Sequence, residues 1–123
     1  MAKEMQVEVE SFYVPERSKP ERGYYFFAYH ITITNRGDVS AQLLTRHWVI
    51  TDGNGQVQEV RGDGVVGEQP RLAPGESFDY TSACPLQTPF GTMEGSYNFV
   101  ADTGEEFDAT IPLFMLAVPS ALN

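Results

Sequence analysis

One cysteine, two histidines and one tryptophan are all that this chain offers of the residues that most often carry thiol, metal or stacking chemistry. A lone Cys84 cannot close an intrachain disulfide, so the fold must rest on its own core and no oxidising compartment is implied. Two histidines and one cysteine without short ligand spacing do not make a zinc site. No apolar run exceeds Leu113 to Val118, far short of the ~20 residues a spanning helix needs. The opening Met1-Ala2-Lys3-Glu4-Met5-Gln6 has no apolar signal-peptide core, so the expected location is the cytoplasm. Positive charge is also scarce, and Lys and Arg are absent after Arg71. The chain carries 8 basic and 17 acidic residues, for a formal charge of −9. Such a surface repels phosphate backbones, which excludes general nucleic-acid binding and argues against docking on anionic membranes.

What is present is enough for one core. The chain has 123 residues, of which 41% are hydrophobic and 20% charged. That is the size and composition of a single folded domain, expected to span residues 1–123.

The dominant period is two. From Tyr24 to Thr34 one face reads Tyr25, Phe27, Tyr29, Ile31, Ile33. Aromatic and β-branched residues fill this run, as strands prefer. Asn35-Arg36-Gly37-Asp38 supplies a turn. A second long strand is expected over 40–52, with Trp48 as a core anchor, and Asp52-Gly53-Asn54-Gly55 turns it into Val57–Arg61. Further strands are expected over 6–14, 77–84, 96–101 and 107–118. Pro112 in the last of these predicts an edge strand or a bulge. Residues 62–75 and 85–95 read as irregular loops, and 15–23 as a charged connection. Seven or more short strands in about a hundred residues predict an antiparallel β-sandwich. Without the hallmark disulfide, the expectation is fibronectin type III-like rather than antibody-like.

Gly62-Asp63-Gly64-Val65-Val66-Gly67 fits G-x-G-x-x-G, but the following Glu68-Gln69-Pro70-Arg71-Leu72-Ala73-Pro74-Gly75 cannot start a helix, so a dinucleotide fold is not expected. An anion nest is the functional alternative: successive amides of Gly62, Gly64 and Gly67, flanked by Arg61 and Arg71, would receive a phosphate. Asp63 and Glu68 oppose that reading. A bulged loop packed on the sandwich end is the structural one. Asp102, Glu105, Glu106 and Asp108 form an acidic hairpin, a weak candidate for a hard cation, and a solvated turn is the better explanation. Asp52-x-Asn54-x-Gln56 lacks the glycine and terminal glutamate of a calcium loop. Cys84 has no neighbouring base, and no serine lies in an activating context. No catalytic constellation is visible, so neither an enzyme nor a cofactor is expected. In the loop 85–95, Phe90 and Met93 would suit a protein partner if exposed, or a satellite of the core if not.

Taken together, several stretches resemble the ApaG family. They are Arg46-His47-Trp48-Val49-Ile50-Thr51-Asp52, then Val60 through Pro70 with its G-V-V-G-E-Q-P run. Leu72-Ala73-Pro74-Gly75-Glu76, Tyr80-Thr81-Ser82, the G-x-M-x-G-x-Y pattern from Gly91 to Tyr97, and Ile111-Pro112-Leu113-Phe114 complete the match. The resemblance implies a fibronectin type III-like sandwich and a link to cobalt and magnesium tolerance or efflux. It also implies a gene neighbourhood of diadenosine tetraphosphate hydrolysis. Similar domains are appended to F-box and polymerase-interacting proteins, which implies protein interaction. For the glycine motif it implies nucleotide or pyrophosphate binding at Gly62, Gly64 and Gly67. The leading expectation is a non-enzymatic binding module for a protein partner, with a homodimer through open strand edges as a further possibility. The alternative is a nucleotide polyphosphate or pyrophosphate site at residues 62–67.

Overall fold

Alternating apolar residues build two sheets whose inner faces meet. The structure, a computed structural model, describes residues 3–122. Among them are eight strands: β1 (Met5–Tyr13), β2 (Tyr25–Asn35), β3 (Ala41–Asp52), β4 (Val57–Asp63), β5 (Arg71–Leu72), β6 (Ser77–Leu86), β7 (Phe90–Ala101) and β8 (Glu106–Ala117). One sheet has the order β1-β2-β6, and the other β4-β3-β7-β8, with β5 paired to β3. All pairings between these strands are antiparallel. A constant-type immunoglobulin domain keeps its fourth strand in the first sheet. Here β4 pairs with β3 in the second sheet, the fibronectin type III-like arrangement. No helix of the described residues is long and apolar enough to cross a membrane.

The core follows the period-two pattern. Phe27, Tyr29, Ile31 and Ile33 of β2 are buried, and so are Leu43 and Trp48 of β3 and Tyr97 and Phe99 of β7. Trp48 sits edge-on to Tyr29, Tyr97 and Phe114, with ring centroids 5.5–6.4 Å apart. Each such fully buried side chain contributes roughly 1.5–3 kcal/mol of transfer free energy. Leu43 and Trp48 lie five positions apart, so strict alternation would put them on opposite faces. A register shift between Leu43 and Thr45 removes the conflict, leaving Leu44 as the extra residue of a bulge. A second shift, between Met93 and Gly95 of β7, places Pro112 and Leu113 of β8 opposite Glu94. The proline therefore lies at a bulge on an edge strand.

The segment 85–95 is not an irregular loop. β6 continues to Leu86, β7 begins at Phe90, and only three residues connect them. The glycines of this segment serve close strand approach. A Cβ at Gly95 would stand 1.9 Å from the carbonyl oxygen of His47 on the neighbouring strand. Residues 62–75 also contain more structure than expected, with β4 reaching Asp63 and β5 pairing Leu72 with Ala41.

Candidate functional site

The bulge at Leu44 turns Arg46 inward beside Trp48. In register Arg46 faces Tyr97 of β7 on one side and Gly62 of β4 on the other. Gly62 makes room for the guanidinium, since a Cβ there would lie 2.8 Å from its central carbon. Arg46 Nη1 donates to the carbonyl oxygens of Asp63 and Gly64, both at 2.9 Å. The Gly64 amide donates to Leu44 O at 2.8 Å, and Gln69 Nε2 donates to the same oxygen at 2.9 Å. Gly64 has φ +62°, and a Cβ there would approach Glu68 O to 2.4 Å. Val65 and Glu68 then exchange both backbone hydrogen bonds, at 2.8 and 2.9 Å. Between them Val66 and Gly67 both have positive φ, +43° and +82°, as a type I′ turn requires.

The glycine motif is thus wrapped around the β3 bulge and an internal cation. Its Asp63 and Gly64 carbonyls point at a guanidinium, the reverse of an anion nest, and the amides of Gly64, Val65 and Glu68 are already engaged. The flanking cations do not converge on it. Arg61 is exposed with Glu59 3.7 Å away, while Arg71 forms a two-pronged ion pair with Asp102. That pair raises the Arg71 pKa further.

Behind the turn lies a cavity of about 400 Å³, open between the β4 and β6 edges. Each of those strands pairs on one side only. Arg46, Trp48, Val60, Val65, Val66 and Tyr80 are among its lining. A second cavity, of about 330 Å³, shares Ile50, Gln58 and Pro85 with the first, so the two form one groove. Beneath it the hydroxyls of Tyr80 and Tyr97 bond each other. Burial raises the pKa of Tyr97, Tyr80 and Tyr29, and the Arg46 charge partly offsets the rise. Cys84 also lines the groove, and burial pushes its thiol up to about 11, which makes it a poor nucleophile.

The remaining candidates separate. Phe90 is 44% exposed, whereas Met93 is 1% exposed and packs in the core. The acidic hairpin does not gather its carboxylates. Asp102 faces Arg71, Glu105 faces Lys3 at 3.0 Å, and Asp108 accepts from Asn98 at 3.1 Å. Glu106 is exposed. Among the described residues no group of three His, Cys, Asp or Glu converges as a metal site would.

Three contacts were invisible in the sequence. His30 Nε2 lies 3.0 Å from Asp79 and its Nδ1 2.8 Å from Thr81 Oγ1, while His47 Nε2 lies 2.8 Å from Glu59. The partners are brought together only by strand register. The His30 cluster has acid–base partners in reach, but it lies on the outer face of the three-stranded sheet and lines none of the cavities described.

The family model described as DUF525, the ApaG domain, matches residues 15–101. "Protein ApaG" of Aromatoleum aromaticum is 59% identical over 97% of this chain and 94% of its own length. "Protein ApaG" of Pseudomonas paraeruginosa is 57% identical over 98% and 95%. A structural-genomics target from Bordetella pertussis superposes with a TM-score of 0.93 at 55% identity, covering 95% of both chains. The C-terminal domain of wzt shares the fold alone, at 8% identity and a TM-score of 0.56, over 95% of this chain and 74% of that one. The motifs that shape the bulge, the Arg46 contact and the turn therefore lie within a matched domain, and the chain belongs to the ApaG family.

Proposed function

We propose that this protein is a non-enzymatic, cytoplasmic binding module that docks a protein partner on the outer face of its five-stranded sheet. One observation carries the reading. The exposed side chains Val57, Phe90, Leu113 and Met115 gather at one end of that face. Register aligns Val57, Thr51, Thr92 and Met115 in a single row across four strands. Phe90 closes the end of the face against Gly53. The next row holds Glu59, Val49 and Glu94 beside Leu113, so the apolar surface has an acidic border. Clustered exposed apolar residues with a polar rim are the usual mark of an interaction surface. With a chain charge of −9, the matching partner is an apolar protein surface bordered by Lys or Arg. A link to divalent-cation tolerance would act through that partner.

The test compares affinity capture from cytosol by the wild-type chain, by Val57→Ser/Leu113→Ser/Met115→Ser and by Phe90→Ala. A Glu8→Gln variant, altered on the opposite sheet, serves as control. A partner retained by Glu8→Gln and lost by the triple variant supports the reading. An unchanged partner list sinks it. Sedimentation of the wild type reports self-association, and a dimer abolished by the triple variant would make the occupant a second copy.

A further inference from the structure

Arg46 brings a positive charge to the lining of the groove. It is half-buried on the inner face of β3, and no carboxylate among the described residues pairs with it. Only Nη1 has acceptors among them, the Asp63 and Gly64 carbonyls; no buried side-chain nitrogen among the described residues lacks a partner, so Nε and Nη2 are open to water on a residue that lines the cavity. A guanidinium without a carboxylate, fixed by two backbone contacts, is a preformed fork for an anion of carboxylate shape.

A second observation lies at the mouth of the same groove. Val66 is 56% exposed, lines the cavity, and holds φ +43°. A β-branched residue is strained in that region, and Asn or Gly would fit the turn without strain. Backbone strain of this kind concentrates at functional sites. Here it holds an apolar side chain over an opening that Trp48, Ile50, Val60, Val65 and Met93 also line. About 400 Å³ is at the lower end of the ~300–1,000 Å³ of small-molecule sites.

We propose that the groove between the β4 and β6 edges binds a small monocarboxylate with an apolar body, gripped by Arg46 and covered by Val66. Charge selects the class. One guanidinium set among mainly apolar walls balances one carboxylate, whereas a polyphosphate would bring several charges into a chain already at −9. The glycines of the motif acquire a role in this site without touching the ligand. Gly62 gives Arg46 its space, Asp63 and Gly64 fix its orientation, and the 65–68 turn forms the lip.

The experiment titrates the isotope-labelled full chain with 4-phenylbutyrate while amide resonances are followed. Its neutral isostere 4-phenylbutanamide, inorganic pyrophosphate and ATP are run in parallel. Phenylbutyrate is expected to shift the amides of Arg46, Gly62, Val65, Val66 and Ser82, with the amide isostere at least tenfold weaker. Arg46→Lys keeps the charge and loses the fork, so it should weaken phenylbutyrate about tenfold while the other resonances stay native. Val66→Asn keeps the turn and removes the apolar lip, so it should weaken binding severalfold in a chain that remains folded. Four results with these ligands and variants would overturn the proposal. They are equal binding of acid and amide, no shift by phenylbutyrate at 10 mM (~ the weak limit of a useful fragment site), stronger binding of pyrophosphate or ATP at the same amides, and unchanged affinity in Arg46→Lys. A tripeptide acetyl-Val-Leu-Phe that binds more tightly than phenylbutyrate only as its free acid would transfer the site to peptide C-termini and refute the small-molecule assignment.

Discussion

The hydroxyls of Tyr80 and Tyr97 bond each other across the two sheets, and their surroundings differ. Tyr97 is 0% exposed, whereas Tyr80 is 7% exposed and lines the groove. Tyr80→Phe therefore strands the Tyr97 hydroxyl in the core, where a lone buried donor costs about 1–3 kcal/mol. Tyr97→Phe leaves the Tyr80 hydroxyl at a wall that water can reach, so only the net bond of about 0.5–1.5 kcal/mol is lost. The double change removes both polar atoms with little change in shape and should cost no more than about 1.5 kcal/mol. Simple addition of the single costs would give about 1.5–4.5 kcal/mol, so the pair must show clear negative coupling. Urea unfolding at pH 7 measures all four chains, with unchanged m-values as the check on two-state behaviour. A loss of 1 kcal/mol lowers Tm by roughly 3–5 °C at this size.

The same residues contribute to the alkaline limit. Their folded pKa values are raised by burial, so both stay neutral in the native state where unfolded tyrosine, near 10, begins to ionise. Unfolding then releases protons, and stability present below about pH 10 is lost as pH rises, at up to ~1.4 kcal/mol per unit for each group. The double phenylalanine variant should decline less steeply. A larger loss in Tyr97→Phe than in Tyr80→Phe, or strict additivity, would refute the asymmetric environment.

Val66→Asn should raise stability by about 1 kcal/mol, because asparagine accepts the positive φ that valine resists; thermal unfolding with no gain would deny the strain. Gly95→Ala should cost more than about 3 kcal/mol, since its Cβ meets the backbone of His47 in mid-sheet. Gly62→Ala, whose nearest neighbours are the Arg46 side-chain tip rather than backbone, should be the milder change, and the ranking in urea midpoints decides between them. Cys84, with its thiol pushed up to about 11, should react with iodoacetamide at pH 8 at least about a hundredfold slower than in urea. Equal rates would show the thiol to be accessible.

The sandwich was legible in the sequence because alternation leaves a local signature. Tyr25 through Ile33 read as one inward face, and so they are. The two bulges were only half legible. Pro112 announced one, but nothing around Leu44 marks the other, since a bulge there is detected only by comparing Leu43 and Trp48 with the partner strand. That missing offset had consequences. Without it, Arg46 falls on neither a settled inner nor a settled outer face, and the glycines that follow look like a phosphate loop. In the fold their meaning depends on Arg46. Gly62 is glycine because a guanidinium lies over it, and the loop carbonyls turn inward because that guanidinium is there. Gly91 and Gly95 are ambiguous in the same way, since residues that admit a neighbouring strand and residues that permit a turn are chemically the same. A glycine states that a side chain must be absent and leaves unsaid what occupies the space. At position 62 the occupant is a cation, and this turns a motif that suggested an anion's site into the frame of an arginine.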